Sequence, residues 1–484
     1  MTQIELLDQT LRDGPQSLWG MKMQAGMALP AAPHLDKTGF HAIDLVGSSM
    51  FEVLIRYCQE DPWEGLDLLL DAMPRTRVRG GMRSNAAVSF SVSPDALMDA
   101  WMRQLNVHGC RSFWIYDLLY NLDKIQRLAK VAKGFGSEVA ATVMFSLSPV
   151  HTDEYFAKTT ADLAASEDVD TILFYDPAGV LDVPRLRTVL PGVVAAAGGK
   201  PVEFHANNLL GISGAAYVDS LQHGVSILHT ASRPMANANS VPSTEIMVHN
   251  LEVLGHTHGL DVSHLKPVAE RFEKVAAVAG FPVHQHNEYD VMSLAHQIPG
   301  GMMGSLRRQL AQYGMDDRLA EVLEETARVR RELGYPVMAT PFSQLVGTQA
   351  VLNVVTGTRY GTVPDQVIQY AAGRFGQPVA PIEQDTLDRI TGTARAAAIM
   401  AEKPEQPSIE ELRARYGTDD DDELILRALV PEADLQRMRE AGPVHRDYPV
   451  LSSREMEQVA AIVRAVDRPF VRVATEAFEL ELER

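Results

Sequence analysis

The residues best suited to chemistry stand in four short segments: Asp8-Gln9-Thr10-Leu11-Arg12-Asp13-Gly14-Pro15-Gln16, Arg79, Tyr175-Asp176 and His205-Ala206-Asn207. Residues two apart on a strand share a face, so His205 and Asn207 are expected to point the same way. A carboxylate, an imidazole and an amide oxygen converging there would hold a divalent cation. Such an ion acts as a Lewis acid, polarising a carbonyl and stabilising an enolate. Arg12 and Arg79 would present planar forks to a substrate carboxylate. The same His-x-Asn spacing also serves as an ordinary interior hydrogen-bonded pair, so spacing alone leaves both readings open.

Positioning these groups requires a repeating frame. Apolar, partly β-branched runs occur at Ile4–Leu7, Ala42–Val46, Thr76–Val78, Phe113–Tyr116, Val139–Phe145, Thr171–Phe174, Val202–Phe204 and Ser226–Leu228. Amphipathic stretches such as Pro94–Leu105, Leu122–Ala132 and Val183–Ala197 separate them. A repeat of roughly 30 residues is the size of one βα unit, and eight units in about 250 residues predict a closed (β/α)8 barrel, a TIM barrel. An open doubly wound sheet fits less well, because no glycine-rich dinucleotide loop follows the first strand. In a barrel of this type the functional groups gather where strands end and βα loops begin. After residue 260 helical periodicity takes over, as in Leu265–Ala279, Arg318–Leu333 and Thr348–Val355. The expected domains are a barrel over 1–260, a mainly α-helical domain over 261–402, and an acidic linker with a small helical region over 403–484.

Composition narrows the partners. A net charge of -19 disfavours nucleic acid, which needs a basic face. Two cysteines, Cys58 and Cys110, cannot build a disulfide framework, which suits a reducing, cytoplasmic location. No secretory leader is visible at the N-terminus, and no apolar run approaches the ~20 residues of a membrane span.

Several motifs, in order, resemble one family. LDQTLRDGPQSL at Leu7–Leu18, EDPWE at Glu60–Glu64 and SPVHT at Ser148–Thr152 are followed by HQIPGGM at His296–Met302, ELGYP at Glu332–Pro336 and SQLVGTQAVLNVVTG at Ser343–Gly357. Together they resemble the carboxyltransferase component of biotin-dependent pyruvate carboxylase, oxaloacetate decarboxylase and transcarboxylase, from about residue 4 to about residue 430. The resemblance implies a homodimer with a helical funnel over the barrel mouth, where carboxybiotin meets pyruvate or oxaloacetate. It implies a metal held by the Asp of Arg-Asp, a carbamylated lysine ending strand six, and two histidines of a His-x-His on strand seven. Asp13 and His205 match two of those ligands. Gln16 and Arg79 match positions that orient the keto acid, and Arg12 matches the arginine beside the metal.

The departures fall in the same mouth. The lysine position holds Tyr175, which cannot form a carbamate, and the second histidine is Asn207. A threonine that relays a proton between biotin and enolate aligns with Asn239, within SRPMANANSVPS at Ser232–Ser243, and an amide is no hydroxyl shuttle. An aromatic residue expected near biotin aligns with Ala86. Related lyases and acyl transferases use Asp, two His and an Asn without a carbamate, so Asp13, His205 and Asn207 remain a candidate ligand set, for magnesium, manganese or zinc. Met21-Lys22-Met23 imitates a biotinylation site but has no room for the carrier's β-sandwich. Any biotin is therefore expected on a separate carrier polypeptide. His284-Gln285-His286 is read as a loop and Asp419–Asp422 as solvated linker. The leading expectation is metal-assisted enolate chemistry, carboxyl transfer or decarboxylation, on a 2-oxo acid. Aldol-type cleavage and a non-catalytic scaffold are the alternatives.

Overall fold

Eight parallel strands close into a barrel: β1 (Glu5–Asp8), β2 (Ile43–Gly47), β3 (Val78–Arg83), β4 (Ser112–Tyr116), β5 (Glu138–Met144), β6 (Thr171–Asp176), β7 (Val202–Ala206) and β8 (Ile227–Thr230). Strand β1 pairs with both β2 and β8, which completes the cylinder. The computed structural model describes residues 3–87, 92–450, 461, 470–475 and 478–483.

The strands are buried on both faces, as a sheet covered outside by helices and filled inside by side chains must be. Helices follow because the intervening segments carry apolar stripes and start signals. In Asp95–His108 the residues Leu97, Met98, Trp101, Met102 and Leu105 are buried. Asp61, Thr152, Asp182 and Ser243 each accept a backbone N–H at the start of a helix.

Inside the barrel, alternation sorts side chains into levels along the axis. Ser112, Glu138, Thr171 and Glu203 lie at or one residue after the start of their strands, and Arg79 is level with Ser112. Arg79 donates to Ser112 Oγ at 2.7 Å, Glu203 at 2.5 and 3.1 Å, and Glu138 at 3.0 Å. This is the end of the barrel opposite the mouth.

The helices Gly300–Gln312, Leu319–Glu332 and Phe342–Thr356 lie over the mouth. Their apolar core, with Leu306, Val329 and Phe342, runs continuously into Trp114, Met144 and Tyr175 of the barrel interior. Arg330 fixes the two layers by donating to Ser146 Oγ at 2.8 Å and to the Leu147 carbonyl at 2.9 Å.

Three sequence expectations are corrected here. The helix Leu265–Ala279 belongs with the barrel's outer shell, where Val268, Phe272 and Val275 join the core and Trp19 packs on Phe272. The acidic run is no linker. Asp420 caps the helix Asp421–Leu429, Asp421 holds Arg413, and Asp422 binds His108 at 3.0 Å and Gln104 at 2.8 Å. Leu424, Ile425, Leu435 and Met438 then bury against the barrel, so this region folds back onto the first domain. Past the helix Glu432–Ala441 the expected helical ending includes an antiparallel pair, Phe470–Thr475 with Phe478–Glu483. Among the described residues no helix is long and apolar enough to cross a membrane, and Cys58 and Cys110 are unpaired.

Candidate active site at the barrel mouth

The loop after β1 turns directly into the helix Asp13–Leu18, which drops Arg12 and Asp13 into the mouth, each about 1% exposed. Arg12 donates through Nε to Asp44 at 2.9 Å and through Nη2 to Gln9 Oε1 at 2.6 Å, and its Nη1 lies 3.4 Å from Asp13. Its guanidinium stacks over Trp114, 5.0 Å from the ring centre. Burial works against this cation, but Asp44, Tyr175 and Asp13 hold it charged, above its ordinary range.

Tyr175, near the end of β6, hydrogen-bonds Arg12, and its ring centre is 4.0 Å from that of His205. Burial lifts the Tyr175 hydroxyl well above the ordinary phenol range despite Arg12, so it stays protonated.

His205 is fully buried, with Nε2 3.8 Å from Asp13 Oδ1 and, among the described residues, without a hydrogen-bond partner. Its tautomer follows from its neighbours. The Gln9 carboxamide is oriented by Arg12, so Gln9 Nε2 donates to Asp44 at 3.1 Å and to His229 Nδ1 at 3.0 Å. His229 Nε2 faces Glu203 at 2.8 Å and must carry the proton there. His229 Nδ1 is therefore an acceptor, and His205 Nδ1, 3.1 Å away, is its donor. The lone pair of His205 is left on Nε2, aimed at the mouth. Burial, then His229 and Arg12, hold His205 well below its ordinary range, so it is neutral.

The expected ligand set Asp13, His205 and Asn207 does converge, yet its chemistry does not fit a resident metal. Asn207 Nδ2 donates to both Asp13 oxygens, at 3.1 and 3.3 Å, and to the Asn239 carbonyl at 3.0 Å. Three oxygens around one amide nitrogen fix its orientation, so Asn207 offers Asp13 an N–H rather than a ligand oxygen. Asp13 also accepts from Ser240 Oγ at 2.7 Å and Ser17 Oγ at 3.3 Å, so its lone pairs already have donors. Tyr175 is a neutral phenol. Among the described residues no group of three His, Cys, Asp or Glu side chains is placed to hold an ion. His284 and His286 are exposed on a loop, and Lys22 lies on a surface turn over the Tyr57 ring.

Other expected residues divide. Gln16 is exposed at the mouth with Oε1 above Gly47, next to the Arg12 stem. Asn239 sits on the loop after β8, accepts from Asn287 Nδ2 at 2.8 Å and packs so tightly on Gly300 that a Cβ there would lie 2.2 Å from it. Ala86 is buried close to β3. Arg79 is corrected: it is locked into carboxylates at the far end of the barrel and cannot meet a ligand at the mouth. The predicted strand stopped at Val78, whereas β3 runs on to Arg83.

Arg83 is the residue the sequence reading missed. Arg79, Gly81 and Arg83 share one face of β3, and Arg83 ends it at the mouth, 3% exposed. Period-two counting from Arg79 would have found it, but Gly80-Gly81 masked the strand. Gly81 is required by space, since a Cβ would lie 2.4 Å from the Trp114 ring. Tyr116, ending β4, lies within the fields of Arg83 and Arg12.

A family model described as a conserved carboxylase domain matches residues 294–465. A pyruvate carboxylase subunit of Methanocaldococcus jannaschii is 30% identical, over 99% of this chain and 84% of that protein. The 2-oxoglutarate carboxylase large subunit of Hydrogenobacter thermophilus is 30% identical, over 95% of this chain and 72% of that protein. The carboxyl transferase domain of Rhizobium etli pyruvate carboxylase, solved with pyruvate, superposes with a TM-score of 0.83 over 99% of this chain and 83% of that one, at 19% identity, a likeness of fold. With this length of match, the order of its motifs and a barrel capped by helices, the chain belongs to the carboxyltransferase family of the biotin-dependent carboxylases.

Proposed function

We propose that the chain moves a carboxyl group to or from the carbon beside the carbonyl of a 2-oxo acid. One observation carries the reading: a cation, a neutral phenol and an imidazole nitrogen unpaired among the described residues converge at the buried barrel mouth, at Arg12, Tyr175 and His205. Donors preset around a developing oxyanion are the main source of stabilisation in enolate-forming sites. Arg83 and Gln16, on the rim, take the substrate carboxylate in place of Arg79.

The carboxyl carrier is a biotinyl group on a separate polypeptide. Relatives that are each named as one subunit of a larger carboxylase support this, as does the absence of a carrier fold around Lys22 among the described residues. Asn239 bears no hydroxyl, so it contributes at most a hydrogen bond at the funnel wall and no proton. The active unit is a cytoplasmic homodimer, whose dimeric mass light scattering of the purified chain would show.

A panel of 2-oxo dicarboxylates, assayed for released carbon dioxide with and without a biotinylated carrier domain, tests the function. Carbon dioxide with the shortened 2-oxo acid as co-product is expected. An aldehyde or acyl product would instead indicate a lyase, and no turnover of any 2-oxo acid would indicate a scaffold.

A further inference from the structure

The family expectation of a metal and the donor set in this mouth disagree, and the disagreement is specific. Where the pattern calls for an anionic carbamate and a second imidazole, this chain places a phenol and an amide. The amide nitrogen donates to both oxygens of Asp13, and two serine hydroxyls take further lone pairs of the same carboxylate. The buried cation of this mouth is already supplied by Arg12, which pairs with both Asp44 and Asp13. An extra divalent ion here would face a guanidinium and only one free nitrogen donor, His205 Nε2.

We propose that this site works without a resident metal, the Tyr175 hydroxyl and the Arg12 guanidinium together holding the ketone oxygen of the substrate; this rests on the 2-oxo acid reading above. Tyr175 accepts from Arg12, which leaves its own O–H for a ligand oxygen, while Arg12 keeps one N–H beyond those given to Asp44, Gln9, Asp13 and Tyr175. In the decarboxylating direction the bond between the 3-carbon and its carboxylate breaks. Carbon dioxide leaves, and the bonding pair becomes the enolate, whose oxygen accepts from Tyr175 and Arg12. A proton from water then returns to the 3-carbon as the ketone reforms, and the hydroxide left combines with the departing carbon dioxide as bicarbonate. Neither donor changes protonation state. His205 Nε2, with its lone pair unmet by any donor among the described residues, is the acceptor that orients the water. Tyr175 is thus a catalytic residue, and His205 a positioning one.

The test uses the full chain and oxalate, a planar dianion resembling the enolate of a 2-oxo acid. Elemental analysis of protein purified without chelator is expected to give far less than one Mg, Mn or Zn per chain. Calorimetry in excess EDTA is expected to show oxalate binding, weakened tenfold or more by Tyr175→Phe with an unchanged melting profile. Stoichiometric metal lost in Asp13→Ala, or oxalate binding that appears only on adding Mn(II), would overturn the metal-free site while leaving the 2-oxo acid reading intact. Failure to bind oxalate or any 2-oxo acid, with or without metal, would remove both. Should Tyr175→Phe not fold, the metal content and the EDTA titration of the parent decide the question alone.

Discussion

Replacing Arg79 with methionine separates a residue that builds the barrel from one that serves its mouth. Arg79 and Glu203 are both 0% exposed, and their side chains meet at 2.5 and 3.1 Å, with Glu138 at 3.0 Å and Ser112 at 2.7 Å. Burial opposes charge on Glu203, but Arg79 and His229 hold it well below the ordinary carboxylate range. Arg79→Met would strand a buried carboxylate, for which removal of one partner costs about 3–5 kcal/mol. The partial cure is Glu203→Gln in the same chain, which removes the stranded charge; the pair should be non-additive by about 0.5–3 kcal/mol. All four tryptophans, Trp19, Trp63, Trp101 and Trp114, lie in the barrel core, so their fluorescence during urea unfolding reads the barrel itself. Arg83→Met is the counterpart, expected to weaken oxalate binding with a far smaller loss of stability. Unchanged unfolding of Arg79→Met together with abolished oxalate binding would show that the register of β3 is misassigned and that Arg79 faces the mouth.

Three further outcomes follow from the same geometry. Gly81→Ala drives a Cβ to 2.4 Å from Trp114, an overpacking expected to cost about 1–3 kcal/mol and, by tilting the ring under Arg12, to weaken oxalate binding in calorimetry. Burial pushes the Glu60 carboxyl up to about 7 although it accepts from Ala25 N–H at 2.8 Å. Its neutral form is favoured on folding, so its penalty is absent near pH 4, grows as pH rises and is complete above about 7; Glu60→Gln should stabilise at pH 8 and change little at pH 4–5 in paired melts. His108, stacked on Trp63, is pushed up to about 9 by Asp422 and Asp67. Its contribution is full below the unfolded value near 6.5 and is lost as pH rises through 9, so protease protection of the helix Asp421–Leu429 should fall over that range, and His108→Ala should abolish the dependence.

Much of the architecture was legible in the sequence because it depends on repetition. Eight apolar runs at even spacing can be satisfied only by closure, and helix starts announce themselves through Asp, Ser and Thr caps. What failed was local. Gly80-Gly81 interrupts the β-type pattern of β3 because Trp114 needs the space, so the apolar run ends at Val78 and points to Arg79 rather than Arg83 as the arginine of the mouth. The Asp419–Asp422 run reads as solvated by composition, but its partners His108, Gln104 and Arg413 are distant or local groups that no periodicity links to it. The convergence of Asp13, His205 and Asn207 was readable from strand parity. Whether that cluster binds an ion turns on which atom of the Asn207 amide faces Asp13, and the Asn239 carbonyl decides that from another loop.

The two ends of the barrel are chemically joined rather than merely stacked. Arg79 keeps Glu203 ionised; Glu203 accepts a hydrogen bond from His229 Nε2–H; His229 Nδ1 then accepts one from His205 Nδ1–H; and the lone pair surfaces at His205 Nε2 beside Asp13. Gln9, whose amide is oriented by Arg12, ties the same chain of groups to the mouth's cation. A charge buried far from the ligand thereby selects the tautomer that meets it, which gives the sequence a reason to keep an ionic cluster where other barrels place aliphatic layers. Neutralising Glu203 alone should consequently disturb the mouth: a glutamine there can offer His229 Nε2 an N–H as readily as an oxygen, so His229 is free to put its proton on Nδ1 and His205 to turn a proton toward Asp13. In Glu203→Gln the nitrogen resonances of both imidazoles should exchange between tautomers, whereas the parent should show Nε2 of His205 unprotonated and Nε2 of His229 protonated. A single unchanged tautomer in both proteins would mean that the coupling stops at His229.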